Sequence, residues 1–304
     1  MQVIKIDENY QAVEESIIAL GNFDGVHLAH KKLLLKLVSE SKKLNLKSSI
    51  LIFKNHTKDT IYNKKQRLLT SNKQKFEMLR NIGIDIIYEI IFDDSIMKIS
   101  PVEFIEKFLY KNLKARGIVA GYDYKFGYMA KGDIELLKNL SLKNNIKNFI
   151  IDAVIFDGII VSSSTIRNFI EDGNIEMANK LLGYNYTITG KIIHGKNLGT
   201  KNGYPTANIQ IDTNYVIPKF GVYDSDIKIK NKVYKAASNI GKNPTIENNG
   251  LRIESHILNF NKNIYGETVD LILLKFLRPE SKFLNIDELF EKIKEDVNKV
   301  KNRI

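Results

Sequence analysis

Gly21-Asn22-Phe23-Asp24-Gly25-Val26-His27-Leu28-Ala29-His30 decides the fold of the first half of this chain. Ahead of it, Ile17-Ile18-Ala19-Leu20 is an apolar run of buried-strand length. Behind it, apolar residues at 33, 34, 37 and 38 fall on one helical face. The order is strand, glycine-bearing turn, helix. His27 and His30 stand three apart at the helix start, so both side chains can point from its first turn toward one spot. The free N–H groups and the positive end of the helix dipole converge there too, which suits a polyphosphate. Imidazoles beside phosphate oxygens can donate hydrogen bonds to charge that develops during transfer. By spacing alone such a pair is more often a cap or a satisfied surface group. Gly21 and Gly25 beside Asp24 shift the balance toward a ligand, because they let one approach the backbone closely.

Working outward, 304 residues are enough for two cores, and 43% hydrophobic composition predicts a folded chain. No stretch reaches the ~18 uninterrupted apolar residues of a membrane span. Met1 to Asp7 lacks the apolar core of a signal peptide, so a cytoplasmic protein is expected. Zero cysteines exclude disulfides and thiolate metal sites. The net charge of +11 invites a nucleic-acid reading, but the lysines are spread along the chain without blocks or interleaved aromatics. A solvated basic surface that favours small phosphate-bearing ligands is preferred.

From Ser16 to about Gly183, strands and helices alternate. Strands are predicted at 48–53, 85–92, 117–120 and 149–155. Ser71 with Gln74 should cap a helix ending near Gly83, and Ser100-Pro101-Val102-Glu103 is a strong helix start. Such alternation predicts a parallel sheet with ligands at the carboxyl ends of its strands. Beyond Gly183 short β-rich runs at 186–193, 233–237, 252–258 and 269–274 are separated by Gly, Asn and Pro turns. They predict a small antiparallel barrel or sandwich, closed by an amphipathic helix from Asp287 to Lys301. The expected domains are 1–183 and 184–304.

Further motifs carry chemistry. Gly121-Tyr122-Asp123-Tyr124-Lys125-Phe126-Gly127 lies just past a strand end, where a ligand loop belongs. Ser162-Ser163-Ser164-Thr165-Ile166-Arg167 sits at a helix start, its hydroxyls either caps or phosphate ligands alongside the arginine. Phe53-Lys54-Asn55-His56 follows the second predicted strand. In the second half, Gly195, Gly199 and Gly203 make a loop able to wrap a nucleotide, though without Walker A spacing. Thr206 and Asn208 alternate along an extended segment and so face one side. Their hydroxyl and amide oxygens are suitable hard ligands for Mg²⁺.

These strings together resemble the bacterial bifunctional riboflavin kinase/FAD synthetase family, over roughly residues 15 to 300. The first stretch resembles the family's GxFDGxHxGH, a version of the HxGH signature of nucleotidyltransferases, with Ala29 in place of glycine. The second resembles GxDFxFG…GD with Tyr124 in place of phenylalanine. The third matches ISSSxxR at the serines and Arg167, with Thr165 where many relatives carry a basic residue. Asn55 replaces the proline of FxPH. Gly203-Tyr204-Pro205-Thr206-Ala207-Asn208 matches the kinase signature GxPTAN. Asn239 to Thr245, Tyr265-Gly266 and the segment of Arg278 follow the family in order.

The resemblance implies a Rossmann-like α/β FMN adenylyltransferase domain followed by a β-barrel riboflavin kinase domain. It implies riboflavin, FMN, FAD and ATP as ligands, with Mg²⁺ at Thr206 and Asn208. Gly21, Phe23, Asp24, Gly25, Asn55, His56, Asp123, Phe126, Gly127 and Ser162 to Ser164 would bind nucleotide or flavin beside His27, His30 and Arg167. Gly195, Gly199, Gly203, Pro205 and Arg278 would do so in the kinase. There Glu254, from the family's E-x-H-x-x-x-F stretch, is the base for riboflavin's terminal hydroxyl. An alcohol needs such a base, whereas the phosphate of FMN is already ionised. The rival reading is a flavin- or nucleotide-binding regulator of the same fold, with the adenylyltransferase impaired and RNA held on its basic surface. Thr206, Asn208 and Glu254 speak against loss of the kinase; Ala29 and Thr165 leave the other activity open.

Overall fold

The computed structural model describes residues 1–54, 66–194, 204–242, 250–281, 283 and 285–303. The chain forms two compact units, Met1–Gln66 with Asn72–Ser162, and Arg67–Ser71 with Ser163–Ile304.

The first unit is built on β1 (Gln2–Ile6), β2 (Ser16–Leu20), β3 (Lys47–Phe53), β4 (Ile86–Ile90), β5 (Ala115–Gly121) and β6 (Lys147–Ile151). They form one sheet in the order β1-β4-β3-β2-β5-β6, and every neighbouring pair is parallel. A sheet covered on both faces calls for apolar residues at every position of its inner strands, and β2 and β4 are buried throughout. The pleat divides them: Ile17 and Ala19 join one core cluster with Ile50, Ile52 and Val119, while Ile18 and Leu20 join the other with Leu51 and Ile118. Helix α1 (Leu28–Lys43) covers the first face with Leu33, Leu34 and Leu37. Helix α2 (Asn72–Ile82) adds Leu79 and stops at Gly83, φ 97°.

The opposite face is covered by a π-helical stretch, Phe104–Asn112, which continues the short helix α4 (Pro101–Glu103) that follows α3 (Asp94–Met97). Ser100 and Glu103 form the expected capping box. Helix α5 (Ile134–Lys143) precedes β6. The strand predicted over 149–155 starts earlier and stops at Ile151. Ile155–Phe156 belongs instead to a hairpin, β7, with β8 (Ile159–Ile160), turned by Asp157 and Gly158 at φ 48° and 78°.

In the second unit β9 (Thr187–Ile193), β10 (Ala207–Gln210), β11 (Gly221–Ile229), β12 (Lys232–Lys242), β13 (Leu251–Ile257) and β14 (Thr268–Pro279) close an antiparallel barrel in the order β10-β13-β12-β11-β14-β9. Of the two expected alternatives, barrel and sandwich, it is the barrel. Its interior holds Ile188, Ile209, Ile227, Ile240, Ile253 and Leu271, with Ser225, Ser238 and Ser255 linked by hydroxyl contacts of 2.7 Å. Helices α6 (Ser163–Glu171) and α7 (Ile175–Leu182) also belong to this unit. The Asn179 amide of α7 donates to the Leu273 carbonyl at 2.9 Å and accepts from the Tyr186 N–H at 2.7 Å. Helix α8 (Ile286–Lys301) is tied to the barrel by Arg278–Asp296 and, just past its end, by Arg303 bonded to Asp224 and Asp226.

Candidate active sites

In the first unit the connection from β2 runs out through β3 and β4, whereas β5 and β6 extend the sheet the other way. The carboxyl ends of the adjacent strands β2 and β5 are therefore the topological switch point, where an open α/β sheet binds its ligands. The Gly21–His27 loop leaves β2 there, and the loop from Gly121 to Gly127 leaves β5.

The first loop is bent tightly: Phe23, Gly25 and Val26 have φ of 49°, 80° and 34°. Glycine takes such values freely, but a β-branched valine there is a genuine outlier that surrounding structure must hold. Burial supplies that hold. Phe23 and Val26 are in the same core cluster as Leu34 and Leu37 of α1. His27 is the N-cap of α1, its Nδ1 accepting the His30 N–H at 3.4 Å. A nitrogen that accepts carries no proton, so in this tautomer Nε2 is the donor. The His27 and His30 rings stack at 3.7 Å and 15°, and Phe23 meets His30 edge-on at 5.2 Å. The two imidazoles thus lie side by side at the helix start. Gly21, Asn22 and His30 are half-buried, whereas Asp24, Gly25 and His27 are buried. Ala29 lies inside α1 and is not among the residues with positive φ.

Sequence reasoning missed Lys75. It lies on the apolar face of α2, one turn before Leu79, and both are buried. Its Nζ donates to the Asn22 carbonyl at 3.3 Å. Burial pulls the pKa of this ammonium down, while Asp24 and Glu89 push it back up. A lysine at helical spacing among apolar residues was the available signal.

In the second loop Asp123 is exposed, but Phe126 is only 5% exposed and packs against Phe104 in the core at 5.7 Å. Phe126 exchanges two backbone hydrogen bonds with Gly132, 3.1 and 2.8 Å, and Tyr124 stacks on it at 6.0 Å. Burial drives the Tyr124 hydroxyl pKa up. Phe126, expected as a ligand contact, here sets the seating of the loop. Gly127 is required by the backbone: its φ is 72°, and a Cβ would stand 2.7 Å from Pro101. Asp133 caps α5 by accepting the Leu136 N–H at 3.0 Å. Ser162 closes the first unit. Ser163, Ser164 and Arg167 open α6 in the second, where Arg167 Nε donates to the Arg67 carbonyl at 3.0 Å. Asn55 and His56 lie outside the described residues, as do Gly195, Gly199 and Gly203.

In the barrel, Asn208 of β10 pairs in register with Glu254 of β13, which pairs on its other side with Asn239 of β12. Ile209, Ile253, Ser255 and Ile240 are buried, so by alternation Asn208, Glu254 and Asn239 form a row on the outer face. Thr206 lies just before β10, two residues ahead of Asn208, and is exposed. Pro205 is fastened through its carbonyl to His256 Nδ1 at 2.9 Å, and Tyr204 meets the His256 ring edge-on at 5.4 Å. Among the described residues no group of three or more His, Cys, Asp or Glu could hold a metal. The donors available to a cation in this row are hard oxygens, hydroxyl and amide at Thr206 and Asn208, which fit Mg²⁺ carried with a nucleotide. Arg278, expected at a ligand, is in a nearly buried ion pair: its Nε and an Nη each lie 2.8 Å from Asp296 Oδ2.

A parallel α/β sheet with a paired-histidine helix start, followed by an antiparallel barrel bearing Thr206, Asn208 and Glu254, defines a nucleotidyltransferase-plus-kinase class. The family model for FAD synthetase matches residues 9–165, and that for riboflavin kinase matches residues 182–304. The chain belongs to the bifunctional riboflavin kinase/FMN adenylyltransferase family. Proteins so named from Buchnera aphidicola (subsp. Schizaphis graminum) and Bacillus subtilis are 35% and 31% identical, covering 99% and 97% of this chain and 98% and 96% of their own lengths. The Listeria monocytogenes protein of that name is 34% identical over 92% of this chain and 90% of its own. A crystal structure from Streptococcus pneumoniae described as a macrolide-efflux protein superposes with a TM-score of 0.91, at 30% identity over 99% of both chains. No helix among the described residues is long and apolar enough to cross a membrane.

Proposed function

We propose that this chain converts riboflavin and ATP to FMN and ADP in the barrel, and FMN and ATP to FAD and pyrophosphate at the parallel sheet. The observation that carries the reading is the outer-face row of Asn208, Glu254 and Asn239 with Thr206 beside it, in one chain with the stacked His27–His30 pair. Residues 1–183 are assigned to adenylyl transfer and 184–304 to riboflavin phosphorylation.

In the kinase, Glu254 takes the proton from the terminal ribityl hydroxyl as its oxygen attacks the γ-phosphorus of ATP and ADP leaves. Thr206 and Asn208 would hold Mg²⁺, which when bound neutralises and orients the ATP phosphates. Pro205, locked to His256, fixes where Thr206 begins.

In the adenylyltransferase an FMN phosphate oxygen attacks the α-phosphorus, and pyrophosphate departs with the electron pair. The nucleophile is an anion already, so the site supplies positioning and charge stabilisation. His27 contributes Nε2–H and the start of α1 its free N–H groups, with His30 stacked against the first ring. Gly21, Asp24, Gly25 and Asp123 shape the loops, and Ser162 of the same unit holds a phosphate oxygen. The reactions are assigned to the cytoplasm. Incubating the protein with riboflavin, ATP and Mg²⁺ and separating the flavins tests the reading: FMN followed by FAD is expected. Unconverted riboflavin would overturn it, and FMN without FAD would leave the kinase alone.

A further inference from the structure

Lys75 sits at a junction of three chain segments. It projects from α2, its Nζ donates to the carbonyl of Asn22 in the Gly21–His27 loop at 3.3 Å, and the buried carboxylates of Asp24 in that loop and Glu89 in β4 favour its charge. An ammonium is rarely taken out of water without partners, and this one is only 6% exposed. The loop it meets has three positive φ angles within four residues, Phe23 to Val26. Phe23 and Val26 are gripped by the core, and the half-buried Asn22 is tied through its carbonyl to Lys75. A trans peptide carries its C=O and its N–H on opposite edges. Drawing the Asn22 carbonyl toward Lys75 therefore turns the Phe23 N–H away from the lysine, and it fixes the path by which the chain reaches His27.

We propose that Lys75 is a positioning residue for adenylyl transfer: its buried ammonium holds the Asn22 carbonyl and, through it, sets the strained Gly21–His27 loop to receive the nucleotide phosphates. The inference rests on the adenylyltransferase reading of this loop. It does not place Lys75 on the ligand.

The test is kinetic, on full-length Lys75→Met, whose unbranched apolar side chain fills similar space without the charge. Losing one charge-assisted anchor should raise the KM for ATP in FAD synthesis about tenfold, equivalent to ~1.4 kcal/mol. The KM for FMN and the riboflavin kinase activity of the same preparation should stay within about twofold. A merely structural role would lower the active fraction, cutting kcat and leaving the KM for ATP unchanged; that result overturns the proposal. If Lys75→Met does not fold, Lys75→Arg takes its place under the same criterion, because its larger planar cation displaces the carbonyl. Should the unaltered protein make no FAD, the adenylyltransferase reading fails. Calorimetric titration with ATP then decides the role of Lys75 separately. One class of nucleotide site weakened about tenfold in Lys75→Met supports it, and unchanged binding overturns it.

Discussion

Replacing Arg278 by methionine separates a structural arginine from a ligand-binding one. The Arg278 and Asp296 side chains are 13% and 3% exposed, and two guanidinium nitrogens share one carboxylate oxygen at 2.8 Å. The other oxygen, Oδ1, is buried with no hydrogen-bond partner among the described residues. Arg278→Met would leave that carboxylate buried and uncompensated, and breaking a buried pair in this way costs about 3–5 kcal/mol. Against a total stability of about 5–15 kcal/mol, this is at least about a fifth of what holds the unit together. At ~2–4 °C per kcal/mol, the melting temperature of the barrel unit should fall by about 10 °C. The chain has no tryptophan, so unfolding is followed by far-UV circular dichroism and calorimetry. The double variant Arg278→Met/Asp296→Leu removes both charges and should recover to within ~1 kcal/mol. Kinase kinetics on that double variant complete the assay: restored KM values for riboflavin and ATP confine Arg278 to the ion pair, and a KM that stays raised puts it at the ligand. A single variant costing less than ~1 kcal/mol would refute the reasoning, because it would mean that Asp296 is solvated or protonated at little cost.

Glu254→Gln should lower FMN formation by on the order of 10²–10⁴-fold while adenylylation of supplied FMN continues; equal loss of both in a folded variant would sink the assignment. His30→Ala should abolish FAD synthesis and spare FMN production. Ala29→Gly should lower the KM for ATP by at most about fivefold, and an unchanged KM would mean the methyl is accommodated. Fragment 184–304 should unfold cooperatively and make FMN, but with a lower midpoint than fragment 163–304, because it lacks Asn179, which bonds both Leu273 and Tyr186. Equal midpoints in urea would put the functional border at Gly183.

The parallel sheet was legible because its strands leave a local trace. A strand covered on both faces must be apolar throughout, as Ile17 to Leu20 and Ile86 to Ile90 are. An edge strand needs no such run: β1 reads Gln-Val-Ile-Lys-Ile and was passed over, although it pairs with β4 along its whole length. Strand β11 is hidden for another reason: Asp224, Ser225 and Asp226 stand at its centre, Ser225 bonded to Ser238 inside the barrel and both aspartates to Arg303. Three polar residues in a row leave no apolar alternation by which a strand is recognised. Whether six strands close into a barrel is decided by β14 meeting β9 and β9 meeting β10, pairings that no local window contains.

The site was legible wherever a ligand's demands fall on neighbouring residues. Paired histidines at a helix start and an alternating Thr206 and Asn208 are local patterns, and Glu254 is singled out only through the resemblance of its string to the family's. That Glu254 lies opposite Asn208 became visible only with the register of β10 and β13. Lys75 stayed hidden because it is fifty-three positions from Asn22, and a helix pattern treats a lysine as surface. The choice between a capping and a functional His27 shows a different limit. Capping engages Nδ1 and leaves Nε2 to donate, so the cap fixes the tautomer that the proposed chemistry requires. The two readings compete only while a histidine is treated as a single group. Once its nitrogens are distinguished, the structural role of one becomes the condition for the functional role of the other.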